Sequence, residues 1–150
     1  MSAITLTTGH IGLNVTDLKR STEFYSSIFG LAILSSSDAP GREFAFLGAG
    51  NNVVLTLWKQ SKGPHQTRVP GLHHLSFQAG SMEQVREAER RLRERRAKIY
   101  HDGIVAHGEN TSSGGIFFED PDGIRLEIFA ASGAEQQAPA YAGVPSCGFF

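Results

Sequence analysis

Three residues of this chain carry the chemistry of a metal site: His10, His74 and Glu127. Each falls on the polar face of an alternating, strand-like run. Neutral imidazole nitrogens donate lone pairs, and a carboxylate offsets a cation's charge. Two imidazoles and one carboxylate therefore suit an open divalent site with positions left for water or substrate. Thr56 takes the fourth equivalent place and is a poor ligand, so that place is expected to stay open. His107, in the loop Gly103–Gly114, is the candidate proton-transfer residue, because an ordinary imidazole titrates near neutrality. Val54, Thr56, Trp58, Phe117 and Phe129 are candidate cleft walls, which suggests an organic substrate with an apolar part. Taken singly, each histidine reads more often as a hydrogen-bonded edge residue than as a ligand, and each aromatic can be ordinary core. Matching positions in a repeated unit are what point to a site.

The repeat is one of element order. His10-Ile11-Gly12-Leu13-Asn14-Val15 alternates as a half-buried strand. Asp17 suits a helix N-cap, Leu18, Phe24, Tyr25 and Ile28 follow at helical spacing, and Gly30 suits the C′ position. Strands are expected over 31–36, 43–47 and 52–58, and a linker over 59–71. Then the order begins again. His74–Ala79 alternates like the first strand, and Ser81-Met82-Glu83-Gln84 is a capping-box pattern. Met82, Val85, Ala88 and Leu92 form an apolar helical stripe through about Arg96. Strands are expected over 99–101, 115–119 and 124–129, with Asp120-Pro121-Asp122-Gly123 as the turn before the last. The chain thus reads strand-helix-strand-strand-strand twice. The expectation is one domain, 1–150: module one about 8–60, module two about 71–131, and a tail over 132–150 with no clear period. The Gly- and Ser-rich loop 103–114 is a candidate lid. The terminal Cys147-Gly148-Phe149-Phe150 is a candidate cover for the cleft or a subunit boundary.

Composition removes several other classes. Of 150 residues, 14 are Lys or Arg and 15 Asp or Glu, a formal charge of −1 that offers no field for a polyanion. The run Arg90-Arg91-Leu92-Arg93-Glu94-Arg95-Arg96 reads as a solvated helix face rather than a nucleic-acid patch. One cysteine, Cys147, excludes an internal disulfide and a Cys-rich zinc site, and fits a reducing cytoplasm. No apolar run approaches the roughly 20 residues that span a bilayer, and Met1–Thr8 lacks the pattern of a signal peptide. The expected protein is cytoplasmic, binds a small molecule, and has neither nucleic-acid nor membrane partners. Exposed edge strands and small size suggest a homodimer.

Three segments together resemble a known superfamily. His10-Ile11-Gly12-Leu13-Asn14-Val15-Thr16-Asp17-Leu18 with Phe24-Tyr25 and Phe29-Gly30-Leu31 is similar to the opening of a vicinal oxygen chelate protein. His73-His74-Leu75-Ser76-Phe77 and Asp120-Pro121-Asp122-Gly123-Ile124-Arg125-Leu126-Glu127 resemble its later motifs. The resemblance implies an α+β fold of two βαβββ modules, curved mixed sheets around a shared metal cleft. It implies His10, His74 and Glu127 as ligands of one divalent ion (Fe, Mn, Zn, Ni or Co) that chelates a small oxygenated substrate. His74 is the match because it precedes Leu75, and His73 is expected to face the other way. Glyoxalase I and the epimerases use a further carboxylate or amide where Thr56 stands here. Fosfomycin-type thiol transferases and extradiol dioxygenases place a Tyr where Phe117 stands. Extradiol enzymes also carry a catalytic His ahead of the second ligand, and His65 lies too near His74 for that role. Ligand spacing leans toward dioxygenase-type chemistry. The alternatives are a metal-free, bleomycin-resistance-like binding protein, and a lyase, isomerase or thiol transferase of the same superfamily.

Overall fold

The computed structural model describes residues 3–149. Met1, Ser2 and Phe150, which belong to the terminal stretches Met1–Thr8 and Cys147–Phe150, lie outside the described residues. The chain divides into two compact units, Met1–Pro64 and His65–Phe150.

In the first unit, β1 (Ile11–Asn14) leads into α1 (Leu18–Phe29), then β2 (Ala32–Ser37), β3 (Phe44–Ala49) and β4 (Asn52–Trp58). The sheet order is β1-β4-β3-β2. β1 runs parallel to β4, and the other pairs are antiparallel. The helix ends follow the expected chemistry. The Asp17 carboxylate accepts the amide of Arg20 at 3.0 Å, satisfying one of the first-turn donors that have no partner inside the helix. Gly30 closes the helix at φ 71°, a left-handed conformation that a Cβ disfavours. Alternation along β1 and β4 sends Leu13, Leu55 and Leu57 to the interior, where Phe24, Tyr25 and Ile28 of the helix are also buried. Each such side chain contributes about 1.5–3 kcal/mol by leaving water.

The second unit repeats the order: β5 (Leu75–Gln78), α2 (Met82–Glu94), β6 (Val105–Ala106), β7 (Gly114–Glu119) and β8 (Arg125–Ala130). Its sheet order is β5-β8-β7-β6, again with one parallel pair, β5 with β8. Ser81 caps α2 through the amide of Gln84, and the Gln84 side chain reaches back to the amide of Gly80 at 2.8 Å. Met82, Val85, Ala88 and Leu92 are the buried stripe. On the opposite face Glu87, Glu89 and Glu94 pair with Arg90, Arg91 and Arg93, so the basic run is a charge-paired helix face. No described helix is long and apolar enough to cross a membrane.

Two expectations need correction. Residues 99–101 are not a strand. Ile99 makes an isolated bridge to Phe118, then His101 and Asp102 take left-handed φ of 58° and 60°, and Gly103 follows at 147°. Three successive positive-φ residues turn the chain out of the ladder. Pairing resumes at β6, inside the segment expected to be wholly loop. The tail is also more ordered than its composition suggests. Ala106 donates to Ala138 O at 3.1 Å, and Ala106 bridges Pro139 in parallel, so the tail lies along the β6 edge.

Candidate metal centre

In the second unit, the parallel pairing of β5 with β8 sets the register Ser76↔Glu127. His74, just before β5, is thereby carried next to the carboxylate. His74 Nε2 lies 3.6 Å from Glu127 Oε2. Two donors each about 2.0–2.2 Å from one cation are compatible with that separation, so this pair fits as part of a divalent site. Glu127 Oε1 is already engaged: His107 Nε2 lies 2.6 Å away. One carboxylate oxygen therefore faces each histidine.

Electrostatics favour the ligand forms. Burial alone would raise the Glu127 carboxyl. The hydrogen bonds from His107 and Ser76 and the nearby histidine charges outweigh it, and the group sits below its ordinary value. Burial, with His73 and Arg125 beside it, pushes the His74 imidazole below its ordinary value against the opposing pull of Glu127. A carboxylate and a neutral imidazole are the forms that bind metal.

His73 does not face away as expected. Its Nδ1 lies 2.8 Å from His74 Nδ1. A hydrogen bond at that nitrogen fixes the ring and leaves Nε2 directed at Glu127, the usual role of an outer partner to a metal-binding imidazole. Ser76 was not singled out from the sequence, and His73 was set aside as facing the other way. The adjacent-histidine doublet and the cross-strand register of Ser76 were the available signals.

The other expected residues are placed as follows. His10 stands exposed, one residue before β1 in the first unit. In that unit Thr56 is buried, and its hydroxyl accepts from Trp58 Nε1 at 3.0 Å. Trp58 is 36% exposed and joins Phe44 and Phe46 in an aromatic group, with ring centroids 5.6 and 5.7 Å from its own. Val54 is half-buried. In the second unit Phe117 is fully buried and Phe129 half-buried, and both rings flank His107, at 6.4 and 5.2 Å. His65 is engaged structurally: its amide donates to Asp122 O, and its ring lies 3.3 Å from Leu72 O. Among the described residues, no group of three or more His, Cys, Asp or Glu side chains is arranged to hold a metal ion. A cavity of about 730 Å³ in the first unit is lined by Asp17, Lys19, Asp38, Glu43 and Lys59 among others, and contains none of the expected site residues.

The chain is similar to a probable lactoylglutathione lyase of Synechocystis, 29% identical over 82% of this chain and 94% of that protein. It is also similar to a catechol-2,3-dioxygenase of Bacillus subtilis, 27% identical over 81% of this chain, but it spans only 40% of that longer protein. A fosfomycin resistance protein of Listeria monocytogenes, FosX, solved as a single-site mutant with Mn(II) and a dihydroxypropylphosphonic acid, shares the fold. Its TM-score is 0.67 at 19% identity, covering 89% of this chain and 98% of that one. A family model matches residues 7–128. By that match and by its duplicated βαβββ order, the chain belongs to the Glyoxalase/Bleomycin resistance protein/Dioxygenase superfamily, the vicinal oxygen chelate fold.

Proposed function

We propose that this protein is a divalent-metal-dependent enzyme that binds a small oxygenated organic substrate by chelation, with His10, His74 and Glu127 as the metal ligands. The carrying observation is the His74–Glu127 pair, a neutral imidazole and an ionised carboxylate 3.6 Å apart. His10 is the third ligand by its position in the repeat, ahead of Gly12 as His74 is ahead of Ser76. A cation bound there supplies Lewis acidity toward substrate oxygens and, as Fe(II), one-electron chemistry with dioxygen. The protein's own groups do the rest. Glu127 offers Oε2 while His107 holds Oε1. His107, beside the site and hydrogen-bonded to Glu127 Oε1, is the residue we assign to exchange a proton with substrate. Val54, Trp58 and Phe129 supply apolar surface for the organic part, and the fully buried Phe117 backs it from the core.

Thr56 favours dioxygenase-type over lyase or isomerase chemistry. Its hydroxyl, engaged by Trp58, is neither a carboxylate at the fourth ligand position nor a base for a carbon-bound proton. We read the chain as one functional domain over 1–150, cytoplasmic, homodimeric, acting on a small molecule, with no nucleic-acid or membrane partner. The −1 charge supports the absence of a nucleic-acid partner, and the exposed Ile33 and Leu34 on edge strand β2 support the homodimer. The test is oxygen uptake with a panel of catechols, before and after chelation. Uptake lost on chelation and restored by Fe(II) is expected. A substrate-dependent rate that survives removal of every divalent metal contradicts it. Tight ligand binding indifferent to chelator and to Glu127→Ala identifies a metal-free binding protein instead.

A further inference from the structure

We propose that the C-terminal tail is part of the site, and that Ser146 is a positioning residue acting through His107 on the Glu127 carboxylate. This rests on the reading of Glu127 as a metal ligand. Ser146 is fully buried. Its amide donates to His107 O at 3.0 Å, and its hydroxyl donates to Ala106 O at 2.6 Å while accepting from Ala140 N at 3.0 Å. The tail thus grips the backbone on both carbonyls at the point where β6 ends and His107 begins. The far side of His107 is held as firmly. Its amide donates to Ser113 O at 3.0 Å, and its Nδ1 lies 2.9 Å from Ser113 Oγ. Thr111 closes the intervening turn through Gly108 O at 3.0 Å, so this stretch is a braced turn rather than an open lid.

An ionised carboxylate can only accept, so His107 Nε2–H donates to Glu127 Oε1. In the neutral ring Nδ1 then accepts from the Ser113 hydroxyl, which fixes the Nε2–H tautomer. Phe117 and Phe129 flank the ring, with centroids 6.4 and 5.2 Å from its own. With Oε1 tied down, the carboxylate cannot rotate freely, and Oε2 stays toward His74. Outer partners of this kind typically contribute about 10–100-fold to metal affinity. The tail is rich in Gly, Ala, Gln and Pro, and nothing in the type of Ser146 advertises a role. The role comes from where their backbone and one hydroxyl fall.

The test is titration of Mn(II) and Co(II) into the full-length protein and its Ser146→Ala, Ser113→Ala, His107→Ala, His107→Gln and Glu127→Ala variants. Each is first checked for native circular dichroism. His107 ring nitrogen shifts are recorded by NMR without metal. His107→Ala is expected to weaken binding about 10–100-fold and Ser146→Ala about tenfold. His107→Gln, which keeps an N–H donor, should recover part of the loss. In the metal-free spectra, wild type should show the Nε2–H tautomer and Ser146→Ala a mixture. If Ser146→Ala fails to fold, Ser113→Ala carries the same expectation from the other side of the ring. Unchanged affinity and an unchanged tautomer in both serine variants overturn the proposal while leaving Glu127 as a ligand. Metal binding unaffected by Glu127→Ala overturns both.

Discussion

In the first unit Gly12 is the register partner of Thr56; in the second, Ser76 is the register partner of Glu127. The strand order around them is the same. Gly12 has no side chain to offer. A Cβ there would stand 3.3 Å from Thr56 Oγ1, whose hydroxyl is already taken by Trp58. Ser76 instead bonds the carboxylate opposite it, and His107 bonds the same group from another side. A buried charge persists only with such partners, because desolvation otherwise costs several kcal/mol. One unit builds a pocket for an anion on this frame. The other fills the same place with a small hydroxyl and aromatic rings. The fold supplies the position, and two or three donors decide whether a ligand can stand there.

The difference between the units can be probed at several levels. At the largest, the two cores should matter equally. Leu57→Ala and Leu126→Ala, both at fully buried positions, should each cost about 2–5 kcal/mol by chemical denaturation. A marked asymmetry would show that one unit supports the other. Next, Thr56→Glu places a carboxylate where no Ser76 or His107 equivalent waits. It should cost about 1–3 kcal/mol, and adding Gly12→Ser should recover part of that. No recovery would mean that the donor is not the controlling difference.

Smaller still are the helix caps. Asp17→Ala and Ser81→Ala should each lower stability by about 1 kcal/mol, since each removes a side-chain acceptor for a first-turn amide. Thermal midpoints check this. The smallest effect is in acid. Burial pushes the Glu119 carboxyl up, but Lys98 and Tyr100 hydrogen-bond it and hold it below its ordinary value. Its folded value is depressed, so its contribution is complete above the unfolded value of about 4.3 and fades as pH falls through the folded one. Glu119→Gln should therefore differ from wild type at pH 7 and converge with it as pH falls through the folded value. Glu43→Gln, in the exposed Lys59 pair of the first unit, should show the same sign and less of it.

Much of the fold was legible where side-chain type and spacing carry it. Asp17 and Gly30 mark both ends of α1, and the Met82, Val85, Ala88, Leu92 stripe marks the buried face of α2. His74 and Glu127 were legible together because period-two alternation on paired strands sends both to one face. β6 was not, since two residues hold no period. The tail was not, because its pairing with Ala106 uses backbone groups that any sequence carries. The break at His101 and Asp102 was hidden for a related reason: left-handed conformations at non-glycine residues leave little trace in composition. The ties of His107 to both Glu127 and Ser113 needed the turn between residues 107 and 113 to be folded first.

The most direct measurement is metal content per chain, by mass spectrometry of protein purified without chelator or affinity-column metal. Wild type would be compared with His10→Ala, His74→Ala, Glu127→Ala and Thr56→Ala. Near-stoichiometric metal is expected in wild type and Thr56→Ala, with its loss in the other three. Wild-type protein that carries no metal and takes up none of the added Fe(II), Mn(II), Zn(II), Ni(II) or Co(II) would contradict the assignment of a metal site.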